Sequence, residues 1–189
     1  MKKKISIYQY IIFIIIVYLY SIPRYFSYLP TLPIYDNNEA DEVYEITLKR
    51  TNEDIDFFKL TDNSVTSAFL PYVEETYNNL VNILTQPLLI YSFSFPKYLI
   101  NRPRPYQVNE NIIKLESNTD KTPSYPAGHA FQAYVLEHIL SKKYPEKREI
   151  FKNIAFKCDY VRVIGGIHYK SDGEFSKYIV NKLVAMGLI

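Results

Sequence analysis

Apolar residues fill almost every position from Ile5 to Ile22, with Ser6, Gln9 and Ser21 the only clearly polar interruptions. At ~1.5 Å per residue this run spans roughly 27 Å, enough for a bilayer core. The pattern predicts a membrane helix, with residues 1–26 as an N-terminal anchor. No small-x-small cleavage site follows, since Pro23-Arg24-Tyr25-Phe26 comes next, which argues against a removed signal peptide. Lys2, Lys3 and Lys4 would hold the N-terminus on the cytoplasmic side and place the remaining chain across the membrane. Residues 27–40, with Pro30, Pro33, Asp36, Asn37 and Asn38, read as a linker, which leaves 41–189 as one domain.

Past the linker the apolar groups shorten. Glu39–Arg50, Asp54–Leu60 and Ser67–Val73 predict short helices. From Glu74 to Ile90 the positions Tyr77, Leu80, Val81, Ile83, Leu84, Leu88 and Leu89 recur at helical spacing, predicting one helix interrupted near Pro87. A second long helical pattern follows Pro126 and runs through Leu140. Pro, Asn, Gln, Lys or Glu breaks every later apolar run, so no second membrane span is expected.

Composition sharpens this to an all-α fold: 19 Tyr and 11 Phe accompany only 5 Gly, which favours packed helices over a turn-rich β architecture. The formal charge of +2 comes from the first 24 residues, which hold four basic side chains and no acid. The rest carries 18 basic and 20 acidic side chains, with no basic stripe to bind nucleic acid. A lone Cys158 excludes an intramolecular disulfide and reads as a small buried apolar residue.

Three stretches carry candidate chemistry. Arg162-Val-Ile-Gly-Gly-Ile-His168-Tyr-Lys-Ser-Asp172 would set His168 and Asp172 at i and i+4 if a helix follows the glycine pair. Asp172 would then orient the imidazole and leave one ring nitrogen free to attack an electrophile, beside the anion-binding fork of Arg162. In Lys97-Tyr-Leu-Ile-Asn-Arg-Pro-Arg104-Pro105 the two cations stand seven residues apart, and along a helix they would point the same way. In Pro123-Ser-Tyr-Pro126-Ala127-Gly128-His129-Ala130, Pro126 suits a first helical turn, Gly128 allows a close backbone approach, and His129 could give a proton to a leaving oxygen. His138 would face the other side of that helix. Each stretch alone also fits ordinary helix-end electrostatics.

Together, in this order and spacing, the three resemble the signature of the type 2 phosphatidic acid phosphatase (PAP2) superfamily, which also holds bacterial acid phosphatases and vanadium haloperoxidases. Lys97 to Pro105 and Arg162 to Asp172 match at full spacing, and Pro126 to His129 matches in three of four positions. The resemblance implies a helical bundle acting as a metal-independent phosphomonoesterase, with no cofactor and with lipid phosphates among its implied substrates. It implies phosphate bound by Lys97, Arg104, Gly128 and Arg162, His168 as nucleophile, Asp172 as its orienting partner and His129 as general acid. The runner-up it carries is a haloperoxidase binding vanadate as cofactor, and a third reading is a tethered phosphate-binding protein without turnover. Two positions depart from the pattern: Ala127 and Val161 each stand where the family has serine. Tyr106, Tyr125 and Phe131 flank the motifs and fit either a leaving-group pocket or ordinary core.

Overall fold

The structure, a computed structural model, describes residues 38–189. The predicted membrane helix at 5–22 lies outside these residues. Among the described residues there are helices and no strand, in keeping with the all-α expectation, and no described helix is long and apolar enough to cross a membrane.

The chain opens with α1 (Glu39–Thr47), α2 (Asn52–Asp62) and the short α3 (Thr66–Phe69), which matches the short helices read from the sequence. The start of α2 is fixed by a capping box: Asp54 N–H donates to Thr51 Oγ1 at 3.2 Å while Thr51 N–H donates to Asp54 Oδ2 at 3.0 Å. The apolar stretch from Glu74 to Ile90 is two helices, not one. α4 (Tyr77–Leu84) is capped by Thr76 and ends at Thr85, and Pro87 then opens α5 (Pro87–Ile100). Proline is suited to a first helical position, where its missing N–H costs no bond, so Pro87 starts a helix where the sequence reading had it interrupt one.

After the one-turn α6 (Pro105–Val108) and a long irregular stretch come the three helices that make the bundle: α7 (Gly128–Lys143), α8 (Arg148–Ile164) and α9 (Lys170–Ala185). α7 is the central one. Ala130, Phe131, Ala133, Val135, Leu136 and Leu140 are buried around most of its circumference, which is why it shows no clean amphipathic stripe. Phe131 packs on Phe93 of α5 with ring centroids 5.3 Å apart, and Phe151 of α8 packs on Phe69 at 6.1 Å. Cys158 is fully buried in this core, as its composition suggested. α5 is the exception among the helices, for it leaves Tyr91, Phe95 and Leu99 exposed along one stripe.

At the end of α8, Gly165 lets Phe58 of α2 lie against the backbone. A Cβ there would sit 2.8 Å from Phe58 Cδ2 and closer still to Cε2. Since Gly165 has ordinary helical φ, the constraint is steric. Gly165→Ala should cost roughly 1–3 kcal/mol in urea denaturation, as overpacking does. Most of that loss should return in Gly165→Ala with Phe58→Leu; a double variant no better than the single would place the cost elsewhere.

Candidate active site

Five of the sequence-predicted residues line one cavity of about 180 Å³: Lys97, Arg104, Gly128, His129 and His168, with Phe93, Thr122 and Gln132 beside them. Arg162 and Asp172 lie behind this lining, both fully buried.

The route by which the residues meet differs from the helical spacing argument. α5 stops at Ile100, and Asn101 takes the left-handed conformation (φ 52°, ψ 44°) with its N–H on Lys97 O at 2.9 Å. Asn tolerates this region better than most residues, so the turn is cheap here. Arg104 is therefore off the helix, in extended backbone ahead of α6. It still converges with Lys97 because its guanidinium spans two loops, with Nε donating to Thr122 O at 2.9 Å and NH1 to Ile167 O at 2.8 Å. Lys97 Nζ donates to Pro123 O at 2.9 Å and Ser124 O at 3.2 Å. Burial, with the Arg104 charge adding to it, holds the Lys97 amine well below its ordinary range.

His168 likewise precedes its helix. Tyr169 is the N-cap of α9 and Asp172 its third residue, so the pair closes across a helix start and not along a helical face. Asp172 suits that position because a carboxylate near a helix N-terminus meets free amides and the positive end of the macrodipole. Its Oδ2 accepts from Tyr169 N–H at 3.0 Å, from His168 Nδ1 at 2.8 Å and from the Ser124 hydroxyl. Its Oδ1 accepts from Arg102 NH1 at 2.7 Å. Burial alone would raise this carboxyl, but the His168 hydrogen bond, the Arg102 charge and the Ser124 hydrogen bond outweigh it and bring it to about 2. With Nδ1–H on the carboxylate, the lone pair of His168 is on Nε2, which lies 3.3 Å from Arg104 NH1. Burial and the Arg104 charge hold the imidazole well below its usual pKa, so it stays neutral.

His129 stands in the first turn of α7 beside Gly128. The N-cap, Ala127, offers no side-chain acceptor to the first-turn amides, and Gly128 and His129 line the cavity. Pro126 precedes the helix and does not enter its first turn. His129 Nε2 lies 2.8 Å from Asp62 O and must donate to that carbonyl, which puts its lone pair on Nδ1. Burial, then the Arg162 charge, push its pKa down to about 3 against the smaller pull of Asp62.

Arg162 is engaged in a way the sequence did not suggest. NH1 donates to Asp62 Oδ1 at 3.2 Å, NH2 to Phe58 O at 3.3 Å and to the Thr61 hydroxyl, while Nε has no partner among the described residues. Asp62 is itself pinned by Ser117 Oγ at 2.6 Å and Asn118 N–H at 3.0 Å. Burial lowers the Arg162 pKa to about 10, with Asp62 opposing. Asp62, Arg102 and Ser124 are the site residues that spacing did not find. Arg102 and Ser124 sit inside the quoted motifs, but nothing in the sequence tells which neighbours turn inward. The flanking aromatics are core: Phe131 is fully buried, Tyr125 stacks on Phe175 at 4.6 Å, and Tyr106 donates to Asp120 at 3.1 Å.

Comparison with known proteins places the stretch that carries this site in a known family. The model of the PAP2 superfamily matches residues 77–179. A non-specific acid phosphatase of Salmonella typhimurium is 32% identical over 108 residues, which cover 56% of this chain and 43% of that protein. A non-specific acid phosphatase of Salmonella typhi is 31% identical with the same coverage. The matched stretch thus spans less than half the length of either relative.

The neutral, buried imidazoles set an acid limit on stability. An unfolded histidine takes up a proton near 6.5, while folded His129 does so only near 3. Between those values the unfolded state binds protons that the folded state does not, so stability is full above about 6.5 and falls as pH falls toward 3. His129→Gln, which keeps a donor for Asp62 O, should flatten that slope by about 1.4 kcal/mol per pH unit. An unchanged slope in urea denaturation between pH 6 and pH 4 would contradict the assignment.

Proposed function

The chain belongs to the PAP2 superfamily, and on that premise we propose that it is a metal-independent phosphomonoesterase working through a phosphohistidine. One observation carries the reading: His168 lines the cavity with its lone pair on Nε2, 3.3 Å from Arg104 NH1, while Asp172 holds its other nitrogen at 2.8 Å. Lys97 and Arg104, with the amide of Gly128, bind the phosphoryl oxygens from the cavity wall, and Arg162 adds its charge from behind. Three cations balance a phosphate dianion and the charge that develops in transfer, so the reading requires no metal.

His168 Nε2 forms the bond to phosphorus in line as the bond to the leaving oxygen breaks. Asp172 stabilises the positive charge that the ring acquires. His129 gives its Nδ1 proton to the leaving alkoxide, then takes one from the water that hydrolyses the phosphohistidine. With a pKa near 3 in the empty site His129 is neutral at neutral pH. A bound dianion changes this. One opposite charge at 4 Å and an effective dielectric of 20 is worth about 4 kcal/mol before desolvation, roughly a thousandfold in a protonation equilibrium. Substrate therefore helps to charge its own acid.

The leaving group we assign is polar. Beside the reaction cavity, and sharing Asn63 with it, lies a cavity of about 550 Å³ lined by Lys59, Lys114, Lys121, Glu116 and Asp120. No apolar residue lines it, so an acyl chain would meet only the stems of polar side chains, whereas sugar or nucleoside hydroxyls would find partners. In the same reading the apolar run at 5–22 tethers the chain by a single pass, with this domain on the non-cytoplasmic side. The exposed Tyr91, Phe95 and Leu99 on α5 are compatible with a nearby membrane surface.

Hydrolysis of p-nitrophenyl phosphate should persist in EDTA, be inhibited by vanadate, drop to background in His168→Ala and fall roughly 10²- to 10⁴-fold in kcat in His129→Ala. An alkaline quench should trap a phosphoryl group on the wild-type chain and none on His168→Ala. Turnover retained without His168 would refute the mechanism, and a higher kcat/KM for phosphatidate in vesicles than for a nucleoside monophosphate would refute the polar leaving group.

A further inference from the structure

The proposed reaction leaves Arg102 without a role, although it touches the carboxylate that orients the nucleophile. Its guanidinium is buried and lies over the Tyr169 ring at 3.6 Å. NH1 donates to Asp172 Oδ1 and to Ser171 Oγ, each at 2.7 Å, and NH2 donates to Glu39 Oε2 at 2.7 Å. The Ser171 hydroxyl donates to the same Glu39 oxygen, also at 2.7 Å. Two carboxylates thus share one arginine, and the group keeps a negative charge that a simple pair would lose. The side chains of Arg102 and Asp172 are 2% and 0% exposed and that of Glu39 25%, so water screens these charges little. Burial opposes the Arg102 charge, but Asp172 and then Glu39 outweigh it and raise the guanidinium pKa above its ordinary value.

Asp172 accepts His168 Nδ1–H at 2.8 Å, so whatever alters its charge reaches the ring. An arginine paired with Asp172 alone would weaken the carboxylate as an acceptor and cancel the negative charge behind the imidazole. Glu39 draws part of the arginine away from it. Glu39 opens α1, and α1 has other attachments to the domain: Ala40 and Val43 pack with Ile112, Val163 and Tyr169, and Asp41 accepts from Asn109 Nδ2 at 2.8 Å. Glu39 stands outside residues 77–179, the stretch that the family model matches.

We propose that Glu39 is a positioning residue for the reaction: through Arg102 it keeps Asp172 a strong acceptor for His168 Nδ1–H and keeps net negative charge behind the ring. Its effect on Nδ1–H rests on the geometry alone, and its effect on turnover rests on the phosphohistidine reading. In that reading the bond from Nε2 to phosphorus puts positive charge on the ring, and hydrolysis of the bond removes it. Negative charge behind the ring therefore speeds formation of the phosphohistidine and slows its breakdown. Loss of the Glu39 charge moves the two steps in opposite directions, whereas a misplaced ring slows both.

The test is Glu39→Gln in the full chain, which keeps an oxygen to accept from Arg102 and removes the charge. In proton NMR the His168 Nδ1–H resonance, assigned by its loss in His168→Ala, should move upfield as Asp172 becomes a weaker acceptor. In rapid-quench experiments with p-nitrophenyl phosphate, the phosphohistidine should form about tenfold more slowly, the scale of one charge acting through an intervening side chain, and should decay faster than in the wild-type chain. Glu39→Asp, which keeps the charge, should restore most of the formation rate and bring the resonance back downfield. A resonance that stays in place or moves downfield in Glu39→Gln overturns the proposal, whatever happens to turnover. So does a Glu39→Gln variant in which both steps slow alike, the outcome a purely structural ion pair gives. A wild-type chain that traps no phosphoryl group refutes the phosphohistidine reading instead, and the Nδ1–H shift then decides the role of Glu39 by itself.

Discussion

The Asp172 carboxylate is the charge on which this structure turns. It is completely buried, and removing a carboxylate from water costs several kcal/mol unless every lone pair is met. Here four donors meet it, from Arg102, Ser124, His168 and the Tyr169 amide. Those donors come from the turn after α5, the stretch before α7 and the start of α9. One buried anion thus fastens together the three chain segments that carry the catalytic candidates. Arg102 is held in turn by Glu39 at 2.7 Å and lies over the Tyr169 ring at 3.6 Å, which extends the network to α1. Stability and site geometry are here the same set of bonds.

The opposite sign of charge is less well compensated. Lys97, Arg104 and Arg162 are all buried, and they are held mainly by backbone carbonyls, with Asp62 as the carboxylate paired to Arg162. Carbonyl dipoles orient cations without neutralising them, which is why burial and mutual repulsion depress the Lys97 amine and both imidazoles. An anion in the cavity removes that imbalance. In the proposed function the buried cations are already oriented for negative charge.

The sequence made the residues legible but not the path between them. Motif spacing named five of the residues that line the cavity and the two behind them, and apolar periodicity found the helices that frame it. Spacing misled wherever a helix was assumed to run through a motif. Asn101 in the left-handed region ends α5 before Arg104, and His168 sits ahead of the N-cap of α9, so both pairs meet through helix ends. Asp62 was illegible for a different reason. It lies 100 positions from Arg162 in a stretch that reads only as a helix terminus, and tertiary packing of α2 on α8 brings the two together. Ala127, where the family pattern has serine, is an N-cap with no side-chain acceptor.

Asp62 also bears on how, in the proposed mechanism, an imidazole so strongly discouraged from charging would serve as an acid. It is the last residue of α2, and the last carbonyls of a helix have no intrahelical partner and carry the negative end of the macrodipole. His129 Nε2–H caps that carbonyl, while the Asp62 side chain takes Arg162, the cation that most opposes protonation of His129 after burial itself. One residue therefore favours the imidazolium twice, through its backbone dipole and through the partial neutralisation of the competing arginine. Both effects are present before any ligand arrives, yet they do not overcome burial. The remaining difference is of the size that one bound phosphate dianion supplies, so in the proposed mechanism protonation of His129 would be coupled to occupancy of the cavity. An acid that charged only with its substrate in place would avoid the cost of keeping a buried cation without a counter-charge.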